Sequence, residues 1–269
     1  MEIVLTLYFG IIGIIIGSFL NVCIYRLPKG ENIAYPPSHC GSCGKRLNAL
    51  DLVPVFSWLF LRGKCRYCGS AISPRYTAVE LLTGITFALL YHTFGISLDF
   101  FASAFLMSIL IVVFFIDLDY KIIPDELVVT GLVAGLIIIV LNIFFPMDIY
   151  RGGQWWDPLL GMVAGSGTLL IIGMVAAKIY KTDYAMGGGD VKIFAPIGIF
   201  LGWKMTFLAL LISVVIAGII SFILIVLKLK TRRSTIAFGP FIVIGTFITY
   251  LYGWDILNMY INAVISRMM

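Results

Sequence analysis

The sequence is short of charge. Only 12% of its 269 residues are Asp, Glu, Lys or Arg, about half the share that a soluble domain carries. With 61% hydrophobic residues and a mean hydropathy of +1.04, its polar side chains are too few to cover a water-exposed globule. A soluble single domain is therefore excluded. So is a disordered chain, which needs few hydrophobes and much charge. There is no internal repeat, no low-complexity linker and no Rossmann glycine pattern. The start also lacks the positive residues, short apolar core and small-residue cleavage site of a signal peptide. Met1-Glu2 leads straight into an apolar run to Ile24, expected to be an uncleaved first span. The net charge is +5, but the charges gather in loops between apolar runs. That layout suits membrane loops rather than a basic groove for nucleic acid.

What the sequence has in quantity is apolar runs of spanning length, about 20 residues each. They fall near 3–25, 78–95, 98–116, 126–145, 158–177, 191–203, 206–227 and 236–253, eight in all. The sixth would be only about 20 Å long as a helix, against about 30 Å of hydrocarbon, so a re-entrant segment is its alternative. Lys and Arg set the orientation. If all eight runs cross, one side collects Arg26, Lys29, Lys45, Arg46, Arg62, Lys64, Arg66, Arg75, Lys121, Lys178, Lys181, Lys192, Lys228, Lys230, Arg232 and Arg233. The other side holds Arg151, Lys204 and Arg267. This places the N-terminus outside and the loop 26–77 in the cytoplasm, and it favours a true crossing for the short sixth run. The expected fold is an all-α polytopic membrane protein of about eight transmembrane helices with a small zinc-stapled cytoplasmic loop domain. It divides into a first helix (1–25), a four-cysteine domain (26–77) and a transmembrane domain (78–269).

Four of the five cysteines form two pairs, Cys40-Gly-Ser-Cys43 and Cys65-Arg-Tyr-Cys68, each followed by glycine (Gly44, Gly69). A C-x2-C turn lets two thiolates grip one ion, and two such turns give the tetrahedral four-sulfur set of a closed, structural zinc site. Iron can take the same ligands, and two disulfides or four unrelated thiols are the bland alternatives. A cytoplasmic location disfavours disulfides. Cys23 reads as a small buried hydrophobe of the first span. His39, beside Cys40, reads as a surface residue, and His92 as an interfacial one.

Acidic residues within or beside spans are costly, so each is a functional candidate. Two stretches carry them: Ile116-Asp117-Leu118-Asp119 with Pro124-Asp125-Glu126, and Met186-Gly187-Gly188-Gly189-Asp190. The topology puts both on the cytoplasmic side. Two carboxylates a few ångströms apart share a proton. Such a pair can activate water with one member and protonate a leaving group with the other. Gly187, Gly188 and Gly189 would let an extended substrate approach the backbone. The competing reading makes Asp190 a helix cap, and Asp125 with Glu126 a helix first turn. Periodicity does not choose among Asp117, Asp119 and Asp125.

Taken together, these residues resemble the bacterial prepilin leader peptidases, the membrane aspartic peptidases of type IV pilus, competence and type II secretion systems. The likeness runs from Gly17-Ser18-Phe19-Leu20-Asn21 and Tyr25-Arg26-Leu27-Pro28 through both cysteine pairs. It continues through Pro54–Trp58, Arg62–Cys65, Arg75-Tyr76, Val79-Glu80, Asp117 and Pro124-Asp125 to Gly187–Asp190 and Gly239-Pro240. The resemblance implies that Asp117 and Asp190 are the catalytic pair and that 78–269 is an aspartic peptidase domain. It also implies a second activity, N-methylation of the new N-terminal residue with S-adenosylmethionine, for which Glu80 and Arg75 are the candidate residues. Here the chain departs from the family at Gly41-Ser42 and Thr77-Ala78, where proline is frequent. The implied partner is a prepilin or pseudopilin helix with a basic leader in the bacterial inner membrane. A proton-coupled transporter using Asp117 and Asp190 as a relay is the alternative, but the inverted repeat it needs is missing. A third reading is a membrane anchor whose zinc loop binds a partner.

Overall fold

The computed structural model describes residues 1–151, 154–181, 187–231, 234 and 236–268; Met186, Arg232, Arg233 and the side chain of Arg267 lie outside that description. Among the described residues the regular structure is helical, as the apolar runs lead one to expect. The long helices are α1 (Glu2–Arg26), α3 (Arg75–Phe94), α4 (Leu98–Tyr120), α5 (Asp125–Phe144), α6 (Asp157–Tyr180), α7 (Gly188–Val226) and α8 (Gly239–Met268); α2 (Phe56–Phe60) is a short helix in the first loop. All seven are long and apolar enough to cross a membrane. Such uniformity has a physical cause: hydrocarbon offers no hydrogen-bond partner, and a helix satisfies its backbone within itself.

The expected sixth and seventh spans are both present, as two helices that meet at Gly202 (φ 70°, ψ 167°) with no loop between them; together they make up α7. Apolar runs alone do not reveal whether two helices are separated by a loop or only by a break. Here one residue suffices, because glycine takes a positive φ at little cost.

Contacts divide the chain into two compact units, Met1–Ile96 and Ser97–Met269. In the first, α1 and α3 pack antiparallel along small residues. A Cβ on Gly13 would come within 2.8 Å of Phe87, and one on Gly17 within 2.7 Å of the Glu80 Cα. Close backbone approach of this kind is how helices associate where no hydrophobic force drives them together. Asn21 Nδ2 donates to the Tyr76 carbonyl at 2.9 Å and closes one end of the pair.

In the second unit, α4 supplies much of the buried core, including Leu106, Leu110, Ile111, Val113 and Ile116. Ser97 caps it, accepting the Phe100 N–H at 3.2 Å. Buried Asp99 then receives the N–H groups of Asp148 and Ile149, each at 3.0 Å. Tyr150 donates its hydroxyl to the Ile199 carbonyl at 2.7 Å, and Trp254 Nε1 donates to the Ile149 carbonyl at 3.0 Å. The packing of α6 on α7 is tightest at Gly161 and Gly198, where a Cβ on either would land on the other's carbonyl. Pro196 interrupts the hydrogen-bond ladder of α7, and its ring lies against Gly131 of α5.

Gly198→Val should therefore push α6 off α7 and cost about 1–3 kcal/mol or more. Gly218→Ala, whose Cβ meets nothing within 4 Å, should be neutral. Denaturation midpoints of the detergent-solubilised variants measure both, and equal midpoints would contradict the packing.

Candidate active site and metal centre

In the second unit, the C-terminal end of α4 and the N-terminal ends of α5, α7 and α8 come together. Asp117 lies three residues before the end of α4 and is buried. Its Oδ2 accepts the N–H of Gly239, the first residue of α8, at 2.8 Å. There is no room for a side chain at that glycine: a Cβ would lie 2.7 Å from Asp117 Oδ2. Asp190 sits in the first turn of α7, close enough to Asp117 for the two carboxylates to interact electrostatically. The N–H of Asp190 is bonded to the Gly187 carbonyl at 3.1 Å.

The three glycines before Asp190 differ in their surroundings. Gly187 faces the Asp190 carboxylate and Gly189 faces Ile123, while Gly188 has nothing within 4 Å. Of the other acidic candidates, Asp119 is exposed. Asp125 is in the first turn of α5 and pairs with Lys192 at 2.9 Å. Gly239 was not among the sequence candidates as a partner of Asp117. Its one signal was the Gly239-Pro240 pair at a helix start, and its contact spans 122 residues of sequence.

In the first unit, the sulfurs of Cys40, Cys43, Cys65 and Cys68 all lie within 4.8 Å of one another. Tetrahedral coordination with bonds near 2.3 Å needs sulfurs roughly 3.8 Å apart, and Cys40 and Cys68 are at 3.9 Å. None of the five cysteines is disulfide-bonded. The two turns are built alike. Cys40 N–H bonds the Lys45 carbonyl and Gly44 N–H bonds the Cys40 carbonyl, at 2.9 and 2.8 Å; Cys65 with Ser70 and Gly69 with Cys65 repeat this at 2.8 and 2.9 Å. Gly44 and Gly69 both have positive φ, 69° and 71°, with open space around them, so backbone conformation rather than room selects glycine there.

The four thiols are not alike. N–H groups of Cys43 and Ser42, then the Ser70 hydroxyl, bring Cys40 down to about 6. Cys43 goes up to about 11: the Lys45 N–H favours its thiolate, but desolvation and the neighbouring Cys40 and Cys68 outweigh it. Four crowded sulfurs resist joint ionisation, and a divalent cation removes that resistance. The donor set therefore fits a metal ion. His39 is turned to the Pro37 carbonyl, 3.1 Å from its Nδ1, and Cys23 is buried in α1.

Sequence reasoning passed over two residues that support this centre. Ser70 Oγ lies 3.1 Å from Cys68 Sγ and 3.7 Å from Cys40 Sγ, linking the two turns. Asp51 accepts Arg66 Nε at 2.6 Å and the Tyr67 hydroxyl at 2.9 Å, tying both residues inside the second cysteine pair. Burial raises the Asp51 carboxyl, but the Arg66 bond, then the Asn48 N–H and the Tyr67 hydroxyl, hold it below its ordinary value. Glu80, the candidate on α3, is buried and accepts the Val55 N–H at 2.7 Å. Arg26 donates to the carbonyls of Asn32, Ile33 and Pro36.

Comparison with known proteins gives two successive matches. Residues 11–94 match the Bacterial Peptidase A24 N-terminal domain, and residues 104–222 match the Type IV leader peptidase family. The Prepilin leader peptidase/N-methyltransferase of Bacillus subtilis (strain 168) is 34% identical over 256 residues, 95% of this chain and 98% of the relative. The protein of the same name from Aeromonas salmonicida (strain A449) is 32% identical, covering 96% of each chain. That from Legionella pneumophila is 32% identical, covering 94% of this chain and 93% of the relative. No solved structure gives a significant match.

Asp51→Asn should loosen the second cysteine turn and speed transfer of metal to a competing chelator by up to about tenfold. A colorimetric chelator follows the release, and an unchanged rate would remove Asp51 from the support of the centre.

Proposed function

Because the chain belongs to the type IV leader peptidase family, we propose that it cleaves the leader peptide of type IV prepilins or pseudopilins with Asp117 and Asp190 as the catalytic pair. The observation that carries this is a buried Asp117 at the end of α4, held by the Gly239 N–H, with Asp190 in the first turn of α7 and the adjoining Gly189 facing Ile123, between α4 and α5. The split of Lys and Arg between loops supports a bacterial inner membrane setting, with the N-terminus outside and this site at the cytoplasmic face. There a substrate's apolar helix lies in the bilayer, its basic leader faces the cytoplasm, and water reaches the scissile bond. Nothing favours the transporter reading.

The chemistry follows from the geometry. With Oδ2 engaged by Gly239, Asp117 keeps its other oxygen to take a proton from water as the water attacks the scissile carbonyl. Asp190 carries the shared proton and gives it to the carbonyl oxygen. Proton return to the leaving amine then breaks the C–N bond. Gly188, open on its outer side, is the backbone position against which an extended leader can lie.

The segment 26–77 acts as a separate module stapled by structural zinc on Cys40, Cys43, Cys65 and Cys68, with no open coordination position and so no part in the hydrolysis. The second activity is methylation of the new pilin N-terminus, with Glu80 and Arg75 as its candidate residues. S-adenosylmethionine would supply the methyl as an electrophilic group on a sulfonium. Glu80 fits a cation, being a buried carboxylate to which one N–H is bonded.

Incubating detergent-solubilised protein with a prepilin should give a gel shift. Asp117→Asn and Asp190→Asn should each lower turnover by at least about 100-fold, with Asp119→Asn and Asp125→Asn milder. Near-normal turnover in either of the first two would sink the assignment. Because the pair works with one proton between its members, kcat/KM should fall at acid pH, where both are protonated, and at alkaline pH, where both are ionised; a rate that rises through the whole range would contradict it. Metal analysis should find one zinc per chain. Cys43→Ser should lose it and lower methylation more than cleavage; iron, or no metal, would overturn the zinc assignment.

A further inference from the structure

The loop 27–74 carries an apolar surface that neither the carboxylate pair nor the cysteine cluster uses. On α2, Phe56, Leu59 and Phe60 are 57%, 56% and 84% exposed. At spacings of three and four residues they share one face of the helix. Leu50, Leu52 and Val53, just before α2 in sequence, are exposed as well. In a segment outside the spanning helices, so many large apolar side chains in the open mark an interaction surface. The other side of α2 is already committed. Trp58, two residues from both Phe56 and Phe60, points away from their face. Its indole N–H donates to the Ile72 carbonyl at 3.0 Å, and its ring covers Gly63 so closely that a Cβ there would come within 3.0 Å.

Where α2 sits decides what covers the open face. Val55, the residue before α2, donates its N–H to Glu80 Oε2 at 2.7 Å. Glu80 is the sixth residue of α3, about 7 Å along it, and the 20 residues of α3 are no longer than the hydrocarbon is thick, about 30 Å. On α1 the same residue packs against Gly17, nine residues before that helix ends. Both spanning helices thus put this contact on the bilayer side of their ends, and α2 starts from it. Val55 has φ 63°, a conformation that β-branched residues avoid, so the chain accepts a strained turn where it meets α3. Just beyond α2, Arg62 and Lys64 are exposed and in no ion pair among the described residues. We propose that α2 is an interfacial helix, seated with Phe56, Leu59 and Phe60 in the surface of the bilayer that α1 and α3 cross, and with Arg62 and Lys64 among the lipid phosphates. Such helices lie about 5–10 Å into the boundary of headgroups and acyl chains, which matches the depth of Glu80. Through Trp58 and Ile72 the seat gives the cysteine module a third attachment to the membrane, besides the ends of α1 and α3.

A photoreactive benzoylphenylalanine in place of Phe60 tests this, in the full chain reconstituted in nanodiscs of phosphatidylethanolamine and phosphatidylglycerol. Irradiation should add the mass of one phospholipid to the peptide that contains residue 60. The same label in place of Trp58, on the other side of α2, should react with the chain itself. Independently, the triple variant Phe56→Ser, Leu59→Ser, Phe60→Ser in the same discs should be cut by trypsin after Arg62 and Lys64 several-fold faster than the wild type, because its local opening no longer has to leave the lipid. Unchanged metal content and thermal midpoint report that each variant is folded. No lipid adduct at residue 60, equal lipid labelling at 58 and 60, or equal trypsin rates would each overturn the lipid seat. If the label at 60 reacts with a co-reconstituted prepilin or with a second copy of this chain in place of lipid, the face docks protein and the proposal is wrong.

Discussion

Hydrocarbon offers a polar group no partner, and the long helices of this molecule answer that constraint. Backbone groups are used up inside seven long helices. Several polar side chains buried in the second unit are answered by main-chain groups: Asp99 by the N–H groups of Asp148 and Ile149, Asp117 by the N–H of Gly239, and Tyr150 by the Ile199 carbonyl. The carboxylates of Asp117 and Asp190 sit at helix ends, where backbone donors and acceptors are unspent. The same constraint explains the glycine contacts of α1 with α3 and of α6 with α7. Helices with no hydrophobic force between them gain attraction only by close backbone approach.

The loop 26–77 solves a different problem. It is too short to build a core, and its stability is concentrated in a few directional bonds: four sulfurs, the Ser70 hydroxyl between them, and the Asp51 carboxylate holding Arg66 and Tyr67. A metal held by such a four-sulfur set would couple the folding of the loop to metal uptake, whereas the carboxylates of the second unit are fixed by packed helices.

What was legible in the sequence is what is local. The C-x2-C-Gly pairs specify their own turns, so the four-sulfur cluster could be read from spacing. The apolar runs gave the helices, with the boundaries of α4 and α5 close to Asp117 and Pro124. Asp117 stood among the acidic candidates, but the choice of it over Asp119 and Asp125 came only through resemblance, because its distinguishing contact is with Gly239, far along the chain. The pairing of Asp125 with Lys192, 67 residues apart, and the roles of Asp51 and Ser70 are of the same kind: ordinary residues locally, given their meaning by tertiary contact. That the sixth and seventh spans meet at a single residue was not legible, because counting apolar residues is blind to backbone torsion.

That break at Gly202 has a further consequence. Along an uninterrupted helix, adding or deleting one residue turns everything beyond it by about 100°. With an extended ψ at Gly202, rotation is not transmitted across the break. The angular position of Asp190 is set by the twelve-residue stretch from Asp190 to Leu201, clamped by Gly161 and Gly131, and not by the longer half that follows. A residue added near the far end of α7, beyond its buried contacts at Met205, Thr206, Ala209 and Ser213, would thus lengthen the helix without turning the carboxylate away from its partner.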